Sequence, residues 1–509
     1  MRKILTILTV TCSLLGVVSC QEDELDLKNP NALTTDQFWV TPNDAELGVN
    51  AIYAMSYKDG LWSRWMSFRL DLTSDEGFSQ SPWIELADWT RFNYINYNFW
   101  EGNGVTWRDT YKAIFRANQV LANVPDIEFD DAARKQSILA EAKFLRALNY
   151  YYVGLLWENA PIILEPSKPD DLPMQSTQQE IYSQAELDLN EAFEDLPLQW
   201  DAENLGRPTK GAAKAMLAKI YMQQRQWGAA KTALDFLVVG EGANYSLVSN
   251  YKDNFTDINE NNSESVYEIQ FGDQRRGGTG EGPNAAVSST RAQFFAPRGI
   301  GWSDGQARFW LVNAFKQELT VDGNLDPRLQ HSLFYPDLFE DFGDKTYSRD
   351  WEWGEDEAWF RKGARDYKRD NEDYFSEVNW RLIRYADILL RYAEVLNELD
   401  MTADAYQYVD RVRARANMAP LATAYPEIGN DHDLFLERLK IERVLELSGE
   451  SVRWEDLKRW GDLETQESVD AIAERDPDFK NFEIGKNIRL PLPQVEVENN
   501  PNMEQNPQY

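Results

Sequence analysis

Apolar residues recur at helical spacing through most of this chain. Between Asp131 and Trp157, Leu145, Leu148, Tyr152 and Leu155 step by three or four residues along one face, and Pro161 then stops the segment. The same pattern predicts helices over about 105–124, 177–196, 210–224 and 227–239. Ser176 or Thr177 with Glu180 forms a capping box, and Pro208-Thr209 opens the 210–224 helix.

Part of the pattern repeats. Leu217, Ala218, Tyr221, Ala230 and Leu234 share their relative spacing with Tyr392, Ala393, Leu396, Ala405 and Val409. Both sets match the large and small positions of a tetratricopeptide helix pair, where small residues let two helices approach and large ones fill the space beside them. The expected fold is mostly α. About four tetratricopeptide-like helix pairs form a scaffold, with long irregular loop insertions and a few short strands.

Three stretches break the helical period. Residues 60–104 are irregular and aromatic, and residues 240–305 are rich in Gly, Asn and Ser around a strand-like run, Val266 to Phe271. Residues 335–380 mix charge with Trp351, Trp353 and Trp359. Long loops on a rigid frame are where binding residues concentrate.

The N-terminus adds an address. Arg2 and Lys3 precede an apolar run from Ile4 to Val18, and Ser19-Cys20 follows. The run is too short for a membrane span and fits a lipoprotein signal over residues 1–19, with the Cys20 thiol as the lipid attachment point. An ordinary signal cleaved near Cys20 is the alternative. Cys12 leaves with the signal, so the mature chain has one cysteine and no internal disulfide. Residues 20–40, with Gln21-Glu22-Asp23-Glu24 directly after Cys20, read as an acidic solvated tether.

Net charge is -33, a surface that repels phosphate backbones and argues against nucleic acid as a partner. The 18 tryptophans exceed what a core requires, although most are expected to pack helices. Their flat apolar faces suit the C–H faces of sugar rings.

Candidate catalytic chemistry is thin. Gly301-Trp302-Ser303-Asp304-Gly305 matches the nucleophile-elbow pattern, and His331 and His432 lie downstream, yet a poor strand precedes it and no βαβ series surrounds it. A helix is expected after it, over about 308–319. A glycine-flexed loop presenting Trp302 is the favoured reading. Asp322 to Asp326 begins like a calcium loop but has Leu333 where a bidentate Glu is needed, so a turn with an Asp326–Arg328 interaction is expected. Gly277 to Gly282 lacks the Lys and Ser/Thr of a phosphate loop. No metal and no cofactor is expected. A glycosidase pair hidden among 85 acidic residues stays open, while Glu442, Arg443, Glu446 and Arg453 sit at spacings that brace helices.

Ordered motifs extend over nearly the whole mature chain. They run from Trp107-x3-Tyr111-x2-Ile114-x3-Asn118 through Arg146-Ala147, Tyr150-Tyr151 and Ala160-Pro161 to Gly206-Arg207-Pro208-Thr209-Lys210-Gly211-Ala212-Ala213. Asp326-Pro327-Arg328, Ile383 to Leu390, Glu442-Arg443 and Trp454-x-Asp456-Leu457-Lys458-Arg459-Trp460 follow. Leu490-Pro491-Leu492-Pro493, Asn500-Pro501 and Gln505-Asn506-Pro507-x-Tyr509 complete the series. In this order, behind a lipoprotein start, they resemble SusD/RagB-type nutrient-binding lipoproteins, although Asn159-Ala160 replaces the family's Gly-Asp-type turn. The resemblance divides the mature chain into a SusD-like region over 41–240 and a RagB/SusD-like region over 241–509, packed as one unit.

That resemblance implies a non-catalytic protein on the outer face of the outer membrane. It would bind oligosaccharides and hand them to a SusC-like TonB-dependent transporter that the repeat helices face. The motifs would be scaffold, and the ligand would meet the aromatic loops. The candidate binding residues are Asp75, Trp83, Trp89, Asn93, Tyr97 and Trp100 in the first insertion, with Arg275, Trp302, Trp351 and Trp353 from the others. Rings would stack on sugars while Asp, Asn and Arg bond hydroxyls. The alternatives are a RagB-like peptide-binding lipoprotein, a surface hydrolase using Ser303 or paired carboxylates, and an adaptor that only docks the transporter.

Overall fold

The amphipathic segments fold as helices close to their expected bounds: Glu101–Asn123, Ala132–Leu156, Gln178–Asp195, Lys210–Gln223 and Trp227–Val238. The computed structural model describes residues 38–94, 101–168, 170–273, 287–336 and 345–509. Side-chain caps set several of the helix starts. The Asp131 carboxylate accepts from the Ala133 and Arg134 N–H groups at 3.0 and 3.1 Å. Thr177, not Ser176, is the cap of its helix: its hydroxyl accepts from the Glu180 N–H at 3.3 Å, and the Glu180 carboxylate takes the Thr177 N–H at 2.8 Å.

Both repeated motifs become packed helix pairs, Lys210–Gln223 on Trp227–Val238 and Tyr385–Glu398 on Thr402–Arg415. Ala218, Ala230, Ala393 and Ala405 are completely buried at these contacts, as close approach requires. Trp227–Val238 also packs on Tyr385–Glu398, joining the two parts of the chain. The described residues contain eighteen α-helices and eight strands, the strands arranged as four two-stranded antiparallel sheets. The expected strand forms as Ser265–Ile269 and pairs with Trp380–Arg384. No helix among the described residues is long and apolar enough to cross a membrane.

Two expectations change. Residues 60–104 are not wholly irregular, because they contain the helices Trp65–Leu72 and Ile84–Thr90. All eight residues of Trp65–Leu72 are buried, so no polar face exists to mark a period. The helix expected over 308–319 is only Trp310–Phe315.

Buried ion pairs brace this frame, since an unpaired buried charge is costly. Arg328 donates to Asp326 at 2.7 Å and to Glu442 at 2.8 Å. Arg384 reaches Glu264, Glu446 and Glu450 at 2.8, 2.5 and 2.7 Å. Arg443 bridges to Asp456 at 2.7 Å, and Arg146 to Asp188 at 2.7 Å. The calcium-like segment is a turn with Gly323 at φ +79°, and Asp322 accepts from the Asn417 amide at 2.7 Å. Among the described residues, no group of three or more His, Cys, Asp or Glu side chains is placed to hold a metal.

Candidate functional site

The loop 296–305 folds back onto the short helix Arg291–Phe295. The N–H groups of Trp302, Ser303 and Asp304 donate to the carbonyls of Gln293, Ala296 and Phe294 at 2.8, 3.1 and 2.8 Å. Gly301 lies so close that a Cβ there would stand 2.4 Å from the Gln293 carbonyl oxygen, and Ser303 takes a left-handed φ of 58°. This tight return pushes Trp302 outward, leaving it 53% exposed.

Trp302 stands edge-on to Phe294, with ring centroids 4.7 Å apart, and lies 5.9 Å from Tyr374. Half-buried Trp83 approaches the same Phe294 at 6.5 Å and meets the buried Trp65 edge-on at 5.1 Å. Its indole N–H donates to Glu85 at 3.0 Å, and its backbone N–H to the Ser81 hydroxyl at 3.0 Å. Ser81 also hydrogen-bonds Asp304, partly offsetting the burial that lifts the Asp304 carboxyl above its ordinary value. Arg64 lies 5.0, 5.4 and 5.5 Å from the centroids of Trp65, Phe294 and Tyr374, and donates to the Tyr374 hydroxyl. Trp83, Trp302 and Tyr374 therefore form one partly open aromatic platform around a buried phenylalanine.

A second aromatic group grips the same loop. Trp351, Trp353 and Trp359 pack with centroids 5.0 to 5.9 Å apart. The buried Trp359 donates its indole N–H to the Ser303 hydroxyl at 2.9 Å, and Trp353 donates to the Arg298 carbonyl at 3.1 Å. Arg298 makes a two-pronged pair with Glu357 at 2.6 and 2.7 Å. Trp351 and Trp353 stay partly exposed.

Two candidates belong to the interior instead. Asp75 is 0% exposed and bound by Arg453 at 2.7 Å and Arg475 at 2.6 Å, and these guanidinium groups hold its carboxyl well below the usual range against the cost of burial. Trp89 is also 0% exposed, under Arg69 at 4.2 Å and edge-on to Trp65 at 5.5 Å. Neither side chain is open to solvent in this fold. Asn93 is exposed and donates to Asp88 at 3.0 Å. Cys20, Tyr97, Trp100, Arg275 and the Gly277–Gly282 run lie outside the described residues. Sequence reasoning missed Tyr374 and Arg64. Their only signal was position, one late in the 335–380 insertion and the other beside a tryptophan in the first.

Ser303 has the loop but not the company of a nucleophile. Its hydroxyl accepts from Trp359 and from Gln306 at 3.2 Å. His331 packs near Tyr251, with its pKa pushed down to about 3 by burial and by Arg361 and Lys252, and His432 pairs with Asp433 at 2.8 Å. The small antiparallel sheets also differ from the parallel sheet of an α/β-hydrolase.

Comparison with known proteins places this architecture. A family model described as the SusD family matches residues 263–509, and one described as starch-binding associating with outer membrane matches 25–222. SusD-like protein P25 of Formosa agariphila is 30% identical over 419 residues, covering 78% of this chain and 77% of that protein. The chain belongs to the SusD family. SusD-like protein P2 of the same organism is 26% identical and matches 99% of both chains. Among solved SusD-type structures, a SusD superfamily protein of Bacteroides vulgatus superposes with a TM-score of 0.80 at 24% identity, over 93% of this chain and all of that one. A laminarin-binding SusD-like protein superposes with a TM-score of 0.75 at 26% identity, over 92% of this chain and all of that one.

Proposed function

We propose that this SusD-family chain is a non-catalytic binding protein for neutral oligosaccharides. Held at the outer membrane through a lipid on Cys20, and extended by an acidic tether that ends before Trp39, which packs on the core, it passes its cargo to a SusC-like TonB-dependent transporter. The observation that carries the reading is the exposed Trp302 beside Tyr374, on the Phe294 ring that Trp83 also approaches, fixed by a loop that Trp353 and Trp359 clamp. Rigid, partly exposed rings receive sugar faces at little conformational cost. The laminarin-binding relative adds support and suggests β-glucans as a first ligand class.

A glycan-array screen of the mature chain, with recovery of the bound glycan, tests this. The expected outcome is retention of at least one neutral oligosaccharide, released intact after prolonged incubation. Retention of peptides only, or release of shortened glycan, contradicts it.

A further inference from the structure

Two clefts lie away from the aromatic platform and share none of its residues. One, of about 360 Å³, is lined by the end of the Pro42–Tyr53 helix, the turn after it, the segment 203–207 and the strand Ser265–Ile269 with Gln270. The other, of about 310 Å³, shares Leu205, Gly206, Arg207, Tyr267 and Glu268 with the first. Both fall in the range of small-ligand pockets.

The arch 205–207 that bounds both clefts is tightly built. Gly206 has φ +89°, and a Cβ on it would lie 2.4 Å from the Gln270 side chain, so only glycine lets the arch sit on that amide. Arg207 donates to Glu141 at 2.6 Å and to Asn50 at 3.4 Å, while Tyr53 donates to the same Glu141 at 2.6 Å. Gln270 and Asn261 exchange amide hydrogen bonds at 2.8 and 3.0 Å. Trp200 donates to the Pro208 carbonyl at 2.8 Å. These walls are set before any ligand arrives.

The lining indicates the ligand's chemistry. Asn50 and Asn204 bring amides to the larger cleft, and Asn244 and Asn262 to the smaller, while Gln270 and Asn261 line them with amides bonded to each other, to Asn379 and to the Glu268 carbonyl. An amide both donates and accepts, as a sugar hydroxyl does. Tyr57 and the 52% exposed Leu205 supply apolar surface. Arg207 is neutralised by Glu141 and Glu46, Glu268 is paired with Arg381 at 3.0 Å, and Glu203 is an exposed carboxylate. The net character is mildly acidic, which disfavours anions.

We propose that the cleft between Tyr57, the 203–207 arch and Gln270 is a second binding site, for a short neutral sugar, separate from the Trp302 platform. The Gly206-Arg207-Pro208-Thr209 motif then serves a binding wall as well as the scaffold.

Saturation-transfer NMR of the mature chain with cellobiose, laminaribiose, maltose, lactose and mannobiose tests it in a Trp302→Ala background. At least one disaccharide should still show transfer. Ser56→Trp, which puts an indole into the cleft, should lower that signal at least five-fold. Asn204→Ala should lower it at least two-fold and, as the smaller change, stands in if Ser56→Trp does not fold. Absence of transfer from every disaccharide, or a signal unchanged by the cleft substitutions, overturns the proposal. The platform is judged separately, by oligosaccharide affinity in Trp302→Ala with the cleft intact.

Discussion

Two of the candidate tryptophans sit in opposite environments. Trp302 is mostly outside and Trp89 fully inside, wedged between Trp65, Arg69 and Gly102. Trp89→Ala should therefore lower unfolding free energy by about 3–5 kcal/mol, the usual cost of emptying a large buried aromatic site. Trp302→Ala should leave the denaturation midpoint nearly unchanged. Chemical denaturation of both variants checks the contrast, and equal losses would contradict the placement of either ring. This difference was not legible in the sequence. Asp75 looked like a hydroxyl-binding carboxylate because its partners, Arg453 and Arg475, lie nearly four hundred positions away. Burial at such distance leaves no local pattern. Trp83, Trp302, Trp351 and Trp353, which the fold leaves partly or mostly exposed, all fall where helical periodicity fails.

At the scale of elements, periodicity works where one face meets water and fails where none does. Gln178–Asp195 was legible to within about a residue because it keeps a polar face and a side-chain cap, and Ala132–Leu156 because of its Asp131 cap and exposed first turns, although it is buried nearly all round from Phe144 onward. Trp65–Leu72, buried all round, carried no such signal. The 296–305 loop was visible only as a glycine pattern that suits a nucleophile as well as a presented tryptophan. The fold separates these roles through Ser303, which accepts from Trp359 and Gln306 and so staples the loop to the second aromatic group. Ser303→Ala leaves two buried donors without their acceptor, at a cost of about 1–3 kcal/mol. Thermal unfolding should show that loss, and esterase and glycosidase assays should show no turnover in either protein. Turnover in the wild type that Ser303→Ala abolishes would restore the hydrolase reading.

Across the whole molecule, buried carboxylates divide into two groups with opposite pH signatures. Asp75, Asp387 and Glu446 are all opposed by burial but held below their ordinary values by arginines, principally Arg453, Arg391 and Arg415. Their contribution is present above the unfolded carboxylate range and is lost as pH falls below about 4. Glu76, by contrast, is raised by burial from 4.5 to about 8, and Asp476 from 3.8 to about 7. These groups bind more protons folded than unfolded, so their contribution declines as pH rises from about 4 to 8. The melting temperature should peak between about pH 5 and 6, drop steeply below 4 and decline gently towards 8, with Glu76→Gln flattening the gentle limb. A melting temperature that climbs steadily to pH 8 would contradict this assignment.

The same molecule presents Trp302 on a frame braced by ion pairs, and the proposed function has this ring hold a neutral oligosaccharide. Isothermal titration of the glycan retained on the array into wild type and Trp302→Ala reads the contribution of that ring. Truncating a central aromatic anchor costs about 2 kcal/mol or more, so affinity should fall by about 30-fold or more, with the melting temperature preserved. Equal affinity in the two proteins would contradict the account.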